Sequence, residues 1–416
     1  MSNRRKRRRR DVPDVTISPS EDPSGVRMSA RASDRSVLYQ AGRDQHFVIS
    51  ANASSVTASY VGEALRLDEA EAELRAVLEA RERTLGAEHP DTLATRNNLA
   101  VLLSERGRLD EAEAELRAVL EARERTLGAE HPDTLATRNN LAAAYQAAGD
   151  INDAIALFEQ TLTARLRIFG PDHPMTLASL NNLASARAAA GDVVGAIELY
   201  ERTYLDYVRV LGAEHPDTLV SRSNLAGAYR SAGRLDEAIA LYQVVLVMRE
   251  RVLGAEHPDT LISRSNLAGA YESAGRLDEA IGLYQRTLAD SERVLGAEHP
   301  DTLASRSNLA GAYLSAGRPD EAIALYQQTL ADYERVLGAD HPNALISRSN
   351  LATAYQLAGR PAEAASLLER TLARAERVFG PDHLISIRIR AAISSSLTEK
   401  PTPGDRLSSA KPQEHE

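Results

Sequence analysis

The chain has 416 residues, a formal net charge of −10, and neither cysteine nor tryptophan. The absence of cysteine excludes disulfide scaffolds, thiolate zinc sites and cysteine nucleophiles. No apolar run is long enough to span a bilayer, and none follows the basic start as a secretion signal would require, so we expect a cytoplasmic protein that is not an integral membrane protein.

Residues 1–55 are predicted to be a disordered arm, because they are rich in charge, proline and serine and have no helical period. Arg4–Arg10 is an unbroken basic run, and the rest of the chain is acidic. Such a run can bind nucleic acid, anionic lipid or the acidic part of the chain itself. A solvated tail without a specific partner is an equal alternative.

Residues 36–51, SVLYQAGRDQHFVISA, lie in this arm and favour a strand. A short segment of this kind is typical of aggregation templates. It resembles the QxGxxN-type amyloid signalling motifs of bacterial immune-type proteins and of RHIM segments, although Asp44 and Gln45 stand where asparagine is expected. The resemblance implies self-association of the chain. The alternative is a strand or loop that caps the first repeat.

The remainder of the chain is a tandem repeat. Eight histidines recur every 42 residues, namely His89, His131, His173, His215, His257, His299, His341 and His383. A period of this length marks a solenoid, in which each unit buries its apolar face against its neighbours. We predict one array over 56–397 with a half unit at each end, followed by a disordered tail at 398–416. Its seven full units are 86–127, 128–169, 170–211, 212–253, 254–295, 296–337 and 338–379.

Each unit is predicted to be a pair of antiparallel helices. In 296–337, Leu303 and Tyr313 fall at helical spacing with the other apolar residues of the first half. Gly317 is expected to end the first helix in a left-handed conformation, Pro319 to begin the second, and Gly338 to end it.

The pattern NLAxxY, then G, then DEA and an aromatic residue, resembles the tetratricopeptide repeat. The 42-residue length, with HPD and NNLA, resembles the kinesin light chain subtype, and the composition favours a bacterial source. The resemblance implies an all-α, right-handed superhelical solenoid. It also implies a scaffold or adaptor that binds a protein or peptide ligand along its concave groove.

Asparagines recur at one position of the first helix, where the resembled family directs a side chain into the groove: Asn98, Asn140, Asn182, Asn224, Asn266, Asn308 and Asn350. An amide donates and accepts hydrogen bonds, so this row can pair with the main chain of an extended peptide. The alternative is an amide that ties one repeat to the next. Specificity is expected at the variable residues Arg230, Glu272 and Gln356, with Gln146 and Leu314.

Arginines form a second row: Arg96, Arg138, Arg222, Arg264, Arg306 and Arg348. We interpret them as interface residues whose guanidinium groups meet carboxylates such as Glu334 or Asp332 on a second helix. Capture of a phosphate or carboxylate from a ligand is the alternative.

The histidine and tyrosine rows have structural interpretations. His-Pro-Asp is a helix-start signal rather than a metal ladder, because successive histidines lie a whole repeat apart. The tyrosines occur at core spacing: Tyr145, Tyr200, Tyr229, Tyr242, Tyr271, Tyr284, Tyr313, Tyr326 and Tyr355. A stacking platform for single-stranded nucleic acid is the alternative, and the acidic array argues against it.

The unit 170–211 departs from the others, since Leu180, Arg187 and Gly195 replace the usual arginine, tyrosine and glutamate. We expect a bend or weak joint there, with ordinary sequence drift as the alternative.

Phosphate-binding, dinucleotide, HExxH and GxSxG motifs are absent, so we expect no enzyme activity and no cofactor. The alternative function is a signalling module in which 36–51 drives self-assembly and the repeats sense a ligand or partner.

Overall fold

The computed structural model describes residues 61–398 except 106, 382 and 383. The basic run Arg4–Arg10, the segment 36–51 and residues 399–416 therefore lie outside the described residues. Over the range that the structure describes, the chain forms sixteen α-helices and no strand. The predicted all-α solenoid of helix pairs is thereby confirmed.

The first helix, α1 (Val61–Leu85), holds the place of a second helix in a half unit. Seven pairs of a first and a second helix follow: α2 (Pro90–Glu105) and α3 (Leu109–Leu127), α4 (Pro132–Ala148) and α5 (Ile151–Phe169), α6 (Pro174–Ala189) and α7 (Val193–Leu211), α8 (Pro216–Ser231) and α9 (Leu235–Leu253), α10 (Pro258–Ser273) and α11 (Leu277–Leu295), α12 (Pro300–Ser315) and α13 (Pro319–Leu337), α14 (Pro342–Leu357) and α15 (Pro361–Phe379). The helix α16 (Leu384–Thr398) is the first helix of a further unit.

Helix ends follow the local chemistry of the repeat. In α10, the imidazole Nδ1 of His257 accepts a hydrogen bond of 3.2 Å from the backbone N–H of Asp259, and the same cap recurs in the other units. The helix-start interpretation of His-Pro-Asp is confirmed. Gly317 and Gly338 have φ values of 69° and 89°, which residues other than glycine rarely adopt. These two glycines follow the ends of α12 and α13, as predicted.

Each helix packs against the next one along the chain, and the first helices of successive units also approach one another. Second helices of successive units stay farther apart. The side of the first helices is therefore the shorter, concave side of the array. The pair α6 and α8 approach less closely than the other first helices described. This exception lies at the unit 170–211, where the sequence predicts a joint.

The core is a column of small and aromatic side chains between the two helix layers. Tyr200, Tyr242, Tyr284 and Tyr326 on second helices are at most 4% exposed, and the alanines around them are fully buried. Their interpretation as packing residues is confirmed. A continuous apolar cluster runs from Ala226 to Ile389, whereas smaller clusters occupy the earlier units.

None of the helices in the described range is both long and apolar enough to cross a membrane.

Candidate peptide-binding face

The concave side of the first helices carries a stripe of small and polar side chains, which we call the inner face. In α8 it consists of Val220, Ser223, Asn224, Gly227 and Arg230, and the same positions recur every 42 residues from α4 to α14. Only two of these positions are charged, Arg230 and its equivalent Glu272 in α10. The inner face is therefore nearly neutral, although the array as a whole is acidic.

In the early units, the amides of the inner face bond to one another across repeats. Asn140 Nδ2 donates to Asn97 Oδ1 at 3.2 Å, and Asn182 Nδ2 donates to Asn139 Oδ1 at 3.0 Å. Both donor side chains are buried, whereas Asn98 in α2 is exposed. The structure thus uses Asn140 and Asn182 as ties between repeats, which was the alternative interpretation of the asparagine row.

For Asn266, Asn308 and Asn350 the acceptor of this tie is missing, because serine replaces the asparagine at positions 223, 265 and 307. The equivalent acceptor for Asn224 is Asn181 Oδ1, which instead accepts a hydrogen bond of 3.3 Å from Ser221 Oγ. Asn224 Nδ2 and Asn308 Oδ1 are buried without a hydrogen-bond partner, and the side chains are 4% and 9% exposed. Asn266 and Asn350 are half-buried. The asparagine row therefore changes from internally paired to unpaired at the joint between α6 and α8.

Two of the predicted specificity residues belong to one polar cluster. Glu272 accepts a hydrogen bond of 2.7 Å from Ser315 Oγ in the next unit, and its carboxylate lies 3.5 Å from Tyr284 Oη. Burial, followed by the nearby Glu272 charge, raises the pKa of Tyr284 above its usual value. Arg230 lies against Gly269, where a Cβ atom would come within 2.8 Å of Arg230 Nη1. Glycine at 269 thus makes room for the guanidinium.

The third specificity candidate, Gln356, lies half-buried near the end of α14. Of the two further variable residues, Gln146 donates from Nε2 to Ser185 Oγ at 3.0 Å and thereby bridges two units, while Leu314 is half-buried. The variable position is therefore at the edge of the inner face throughout, and its side chains differ in charge and polarity from unit to unit.

The arginine row lies inside the array rather than on the inner face. Arg264 is 1% exposed and donates to Asp290 at 2.7 Å on its own second helix and to Glu250 at 3.2 Å on the preceding one. Arg306 and Arg348 make equivalent contacts, with Asp332 and Glu334 respectively. The interface interpretation of this row is confirmed.

The contacts of the arginine row differ in the units 170–211 and 212–253, on either side of the joint between α6 and α8. Leu180 replaces the arginine, and Leu166 replaces one of the two carboxylates that would face it. Arg222 has Met248 and Tyr204 as hydrogen-bond partners, and no described carboxylate lies within 4.0 Å of it. The guanidinium also stacks on the ring of Tyr204, 4.8 Å from its centroid.

Sequence reasoning missed a second row of buried arginines, which lies on the second helices. Arg165 Nη1 donates to the carbonyl of Met175 at 3.0 Å and to Ser179 Oγ at 2.7 Å, both on the next first helix. Arg123 and Arg249 repeat this arrangement. Burial lowers the pKa of Arg165 to about 10, so this side chain keeps its charge at neutral pH. A signal was present, since a hydroxyl residue follows each arginine after fourteen positions.

Tyrosines of the first helices also join units. Tyr271 Oη accepts a hydrogen bond of 2.7 Å from Gln243 Nε2 on the preceding second helix, and Arg276 stacks over its ring at 4.3 Å. In the unit 170–211, Arg187 takes the place of the tyrosine and pairs with Glu159 at 3.1 Å. An ion pair between Arg187 and Glu159 therefore replaces the tyrosine hydrogen bond as the contact between these two units.

Among the described residues, no group of three or more histidine, aspartate or glutamate side chains is arranged to hold a metal ion. The unpaired amides and the near-neutral surface of the inner face are suited to hydrogen bonding with a polypeptide main chain.

Comparison with protein families matches the model described as Tetratricopeptide repeat, in seven overlapping segments: 57–125, 97–167, 133–204, 176–251, 221–289, 259–335 and 307–377. A comparison with curated proteins gave no significant match. Together the segments span most of the array.

Among solved structures, the chain is similar to one described as kinesin light chain nearly identical TPR-like repeats from Podosopora anserina, with 36% identity, 50% of this chain and 99% of that chain covered, and a TM-score of 0.45. It is also similar to BtubC (BKLC) from P. vanneervenii, with 22% identity, 64% and 99% coverage and a TM-score of 0.46. The predicted resemblance to the tetratricopeptide repeat is confirmed by the family match.

Proposed function

Because the chain belongs to the tetratricopeptide repeat family, we propose that it is a non-enzymatic scaffold or adaptor whose inner face binds a protein or peptide ligand. The observation that supports this proposal is the asparagine row Asn224, Asn266, Asn308 and Asn350 on a nearly neutral face, in which Asn224 and Asn308 have a buried side-chain atom without a hydrogen-bond partner. A buried polar group without a partner costs stability, so its retention is best explained by a ligand that satisfies it.

The spacing of the row fits an extended peptide. Successive first helices lie about 10 Å apart, as packed helices do. An extended chain rises about 3.3 Å per residue, so one amide meets every third residue of a ligand. The row of four asparagines therefore fits a peptide of about ten residues and pairs with its main chain largely independently of sequence.

Sequence preference would come from the edge of the inner face. Arg230 and Glu272 are neighbours in successive units and carry opposite charges, and Gln356 is neutral. A ligand with an acidic residue near Arg230 and a basic or hydroxyl residue near Glu272 would complement them.

The proposal can be tested with a phage-displayed library of random dodecapeptides selected on the full-length chain. Selected peptides should bind the wild-type chain and lose at least about tenfold in affinity when alanine replaces Asn224, Asn266, Asn308 and Asn350, because each lost hydrogen bond contributes about 1 kcal/mol.

A matched control variant carries alanine at Arg202, Arg286 and Gln328, which are exposed and occupy equivalent positions of the second helices α7, α11 and α13. It should bind the selected peptides as the wild type does, and both variants should keep the helical circular dichroism signal. Enrichment of no peptide, or equal binding by the asparagine variant, would rule out recognition by the inner face.

A further inference from the structure

Among the described residues, one buried arginine of the first helices has no carboxylate beside it. Arg222 is 6% exposed, and its guanidinium donates from Nη1 to Met248 Sδ at 3.4 Å and from Nη2 to Tyr204 Oη, an uncharged phenol. The other described arginines at this position each form an ion pair with a carboxylate: Arg96, Arg138, Arg264, Arg306, Arg348 and Arg390. Arg222 therefore differs from them in having a buried charge that nothing nearby balances.

This gap arises because two acids are replaced on the flanking second helices. Arg264 donates to Asp290 on its own second helix and to Glu250 on the preceding one, and these acids are 21% and 34% exposed. One unit earlier, Met248 and Val208 occupy those two places and are half-buried. Since the two acids reach the surface, their places around the earlier arginine are also accessible from outside. The thioether side chain of Met248 is flexible, so it can move aside for an external carboxylate.

Exposed apolar side chains lie next to this gap on the convex side of the array. Leu205 on α7 and Val247 on α9 occupy equivalent positions and are 64% and 63% exposed, and Val244 on α9 is 40% exposed. The other units carry a charged, hydroxyl or small residue at the position of Leu205 and Val247, namely Glu121, Thr163, Ala289, Ala331 and Ala373. We call Leu205, Val208, Val244, Val247 and Met248 the convex patch. Its two helices meet at Arg222, which contacts Tyr204 on α7 and Met248 on α9.

The chemistry of the convex patch indicates which ligand would suit it. Large apolar side chains exposed side by side are typical of interaction sites. An entirely apolar ligand would bury the guanidinium further and leave its charge unbalanced, which is costly. A carboxylate fits the gap, because aspartate and glutamate fill the same gap in other units. A phosphate carries more charge and would lose more hydration against the apolar surroundings.

We propose that the convex patch binds a polypeptide segment in which an aspartate or glutamate is flanked by large aliphatic side chains. The carboxylate of this segment accepts hydrogen bonds from the guanidinium of Arg222, in the place that Met248 occupies. Its aliphatic side chains pack on Leu205 and Val247. The patch lies on the second helices, away from the inner face, so the chain can hold this segment and an inner-face ligand at the same time.

The unbalanced charge can be tested without a ligand. Met248→Asp introduces the residue that stands at the equivalent positions 206, 290 and 332, so Arg222 gains an internal carboxylate partner. The midpoint of urea unfolding should rise in this variant. Met248→Asn is the matched control, because it has the same shape without the charge, and it should not raise the midpoint. A midpoint that Met248→Asp leaves unchanged or lowers would overturn the proposal.

The ligand can be sought with a phage-displayed library of random dodecapeptides. The library is first depleted on the full-length Met248→Asp chain, whose gap is filled, and is then selected on the wild-type chain. Selected peptides should carry an acidic residue beside leucine, isoleucine or methionine. Replacement of that acid by its amide should weaken binding at least about tenfold, since a hydrogen bond between two charged groups is lost.

The apolar part of the patch is tested with the same peptides. Leu205→Ala combined with Val247→Ala should weaken binding about tenfold by removing apolar contact area. Later units carry alanine at this position, so the fold tolerates the change. The matched control combines Val294→Ala with Val378→Ala, which are 41% and 42% exposed at equivalent positions of α11 and α15. The control variant should bind the peptides as the wild type does.

Three outcomes would contradict the proposal. They are selection of no peptide, peptides whose binding is insensitive to loss of their acid, and equal binding by the Leu205 and Val247 variant. Sedimentation that shows self-association of the wild-type chain but not of Met248→Asp would identify a second copy of the chain as the occupant and would also overturn it. Alanine at Asn224, Asn266, Asn308 and Asn350 should leave these peptides bound, so the result does not depend on the inner face.

Discussion

The buried arginines of the first helices determine the packing geometry between neighbouring units. Arg264 joins two second helices and the intervening loop, because it also donates to the carbonyl of Ala255 at 3.2 Å. A buried guanidinium is stable only when its donors are satisfied, so the contact demands one geometry between units. Where the arginine is replaced, at Leu180, one of the two facing acids is replaced by Leu166 and the other, Asp206, pairs with Arg209, so no acid is left unpaired.

The acid partner makes this contact sensitive to pH. Partial burial acts to raise the pKa of Asp290, but hydrogen bonds from Arg264 and Arg293 outweigh it and hold that pKa below its usual value. A depressed pKa in the folded state means that the carboxylate stabilises the fold above the pKa of an unfolded aspartate, about 4. This stabilisation is lost as the pH falls through the folded-state pKa.

Asp290→Asn should therefore lower the free energy of unfolding by about 1.5 kcal/mol at neutral pH. It should also weaken the decline in stability between about pH 5 and pH 3. Urea unfolding at several pH values measures both effects. If the free energy of unfolding of Asp290→Asn falls with decreasing pH as steeply as that of the wild type, the Asp290 carboxylate does not contribute to the pH dependence as described.

Helix starts are the most uniform feature at the level of the element. The histidine that precedes each described first helix from α2 to α14 occupies the cap position, and in α4 to α14 its backbone is extended, with ψ between 137° and 141°. The following proline has no N–H to satisfy, and the next N–H is taken by the imidazole. The recurring HP sequence thus sets the register of every first helix, while a left-handed glycine sets its end.

Replacement of one cap tests this account. His257→Ala removes the acceptor for the N–H of Asp259 and should lower the free energy of unfolding by about 1 kcal/mol. His257→Asn keeps an acceptor on a short side chain and should retain most of the stability. Chemical denaturation of the three proteins gives the comparison. Equal losses in both variants would mean that the imidazole acts through packing rather than through the cap.

The whole array behaves as a one-dimensional stack in which every interface repeats. Arg306 contacts Glu292, and Glu250 occupies the same place one unit earlier. Tyr313 accepts from Gln285 at 2.9 Å, and Gln243 is its counterpart in the preceding unit. Stability is then approximately a sum over units and their interfaces, so removal of an entire unit recreates an equivalent interface.

Deletion of 254–295 should accordingly leave a folded chain with the same helicity per residue and a modestly lower unfolding midpoint. Deletion of 254–274 is the matched control, because it removes a first helix and brings two second helices together. Circular dichroism during thermal unfolding should show a cooperative transition for the former and its loss for the latter. Global unfolding of the whole-unit deletion would contradict the stacked-repeat description.

The repeat, the helix pairs, their ends and the packing role of the tyrosines were all predictable from the amino-acid sequence. These features depend on residues close in the chain, whose spacing and capping chemistry act locally. The interface role of the arginines was also predictable, because the acid partners recur with the same period. The buried row of Arg123, Arg165 and Arg249 was missed, because one acceptor of each is a backbone carbonyl that no residue type reveals and the other is a hydroxyl fourteen positions later, a signal that the sequence analysis did not use.

Which asparagines have hydrogen-bond partners became evident from the packing of one unit on the next. Asn182 and Asn224 occupy the same position in the repeat, yet the first is paired and the second is not. The preceding unit offers an asparagine in both cases, but Asn181 Oδ1 accepts from Ser221 Oγ at 3.3 Å instead of from Asn224, and α6 and α8 are more widely separated. A hydrogen bond between residues 43 positions apart is set by the geometry of stacking, which the local pattern of a single unit does not contain.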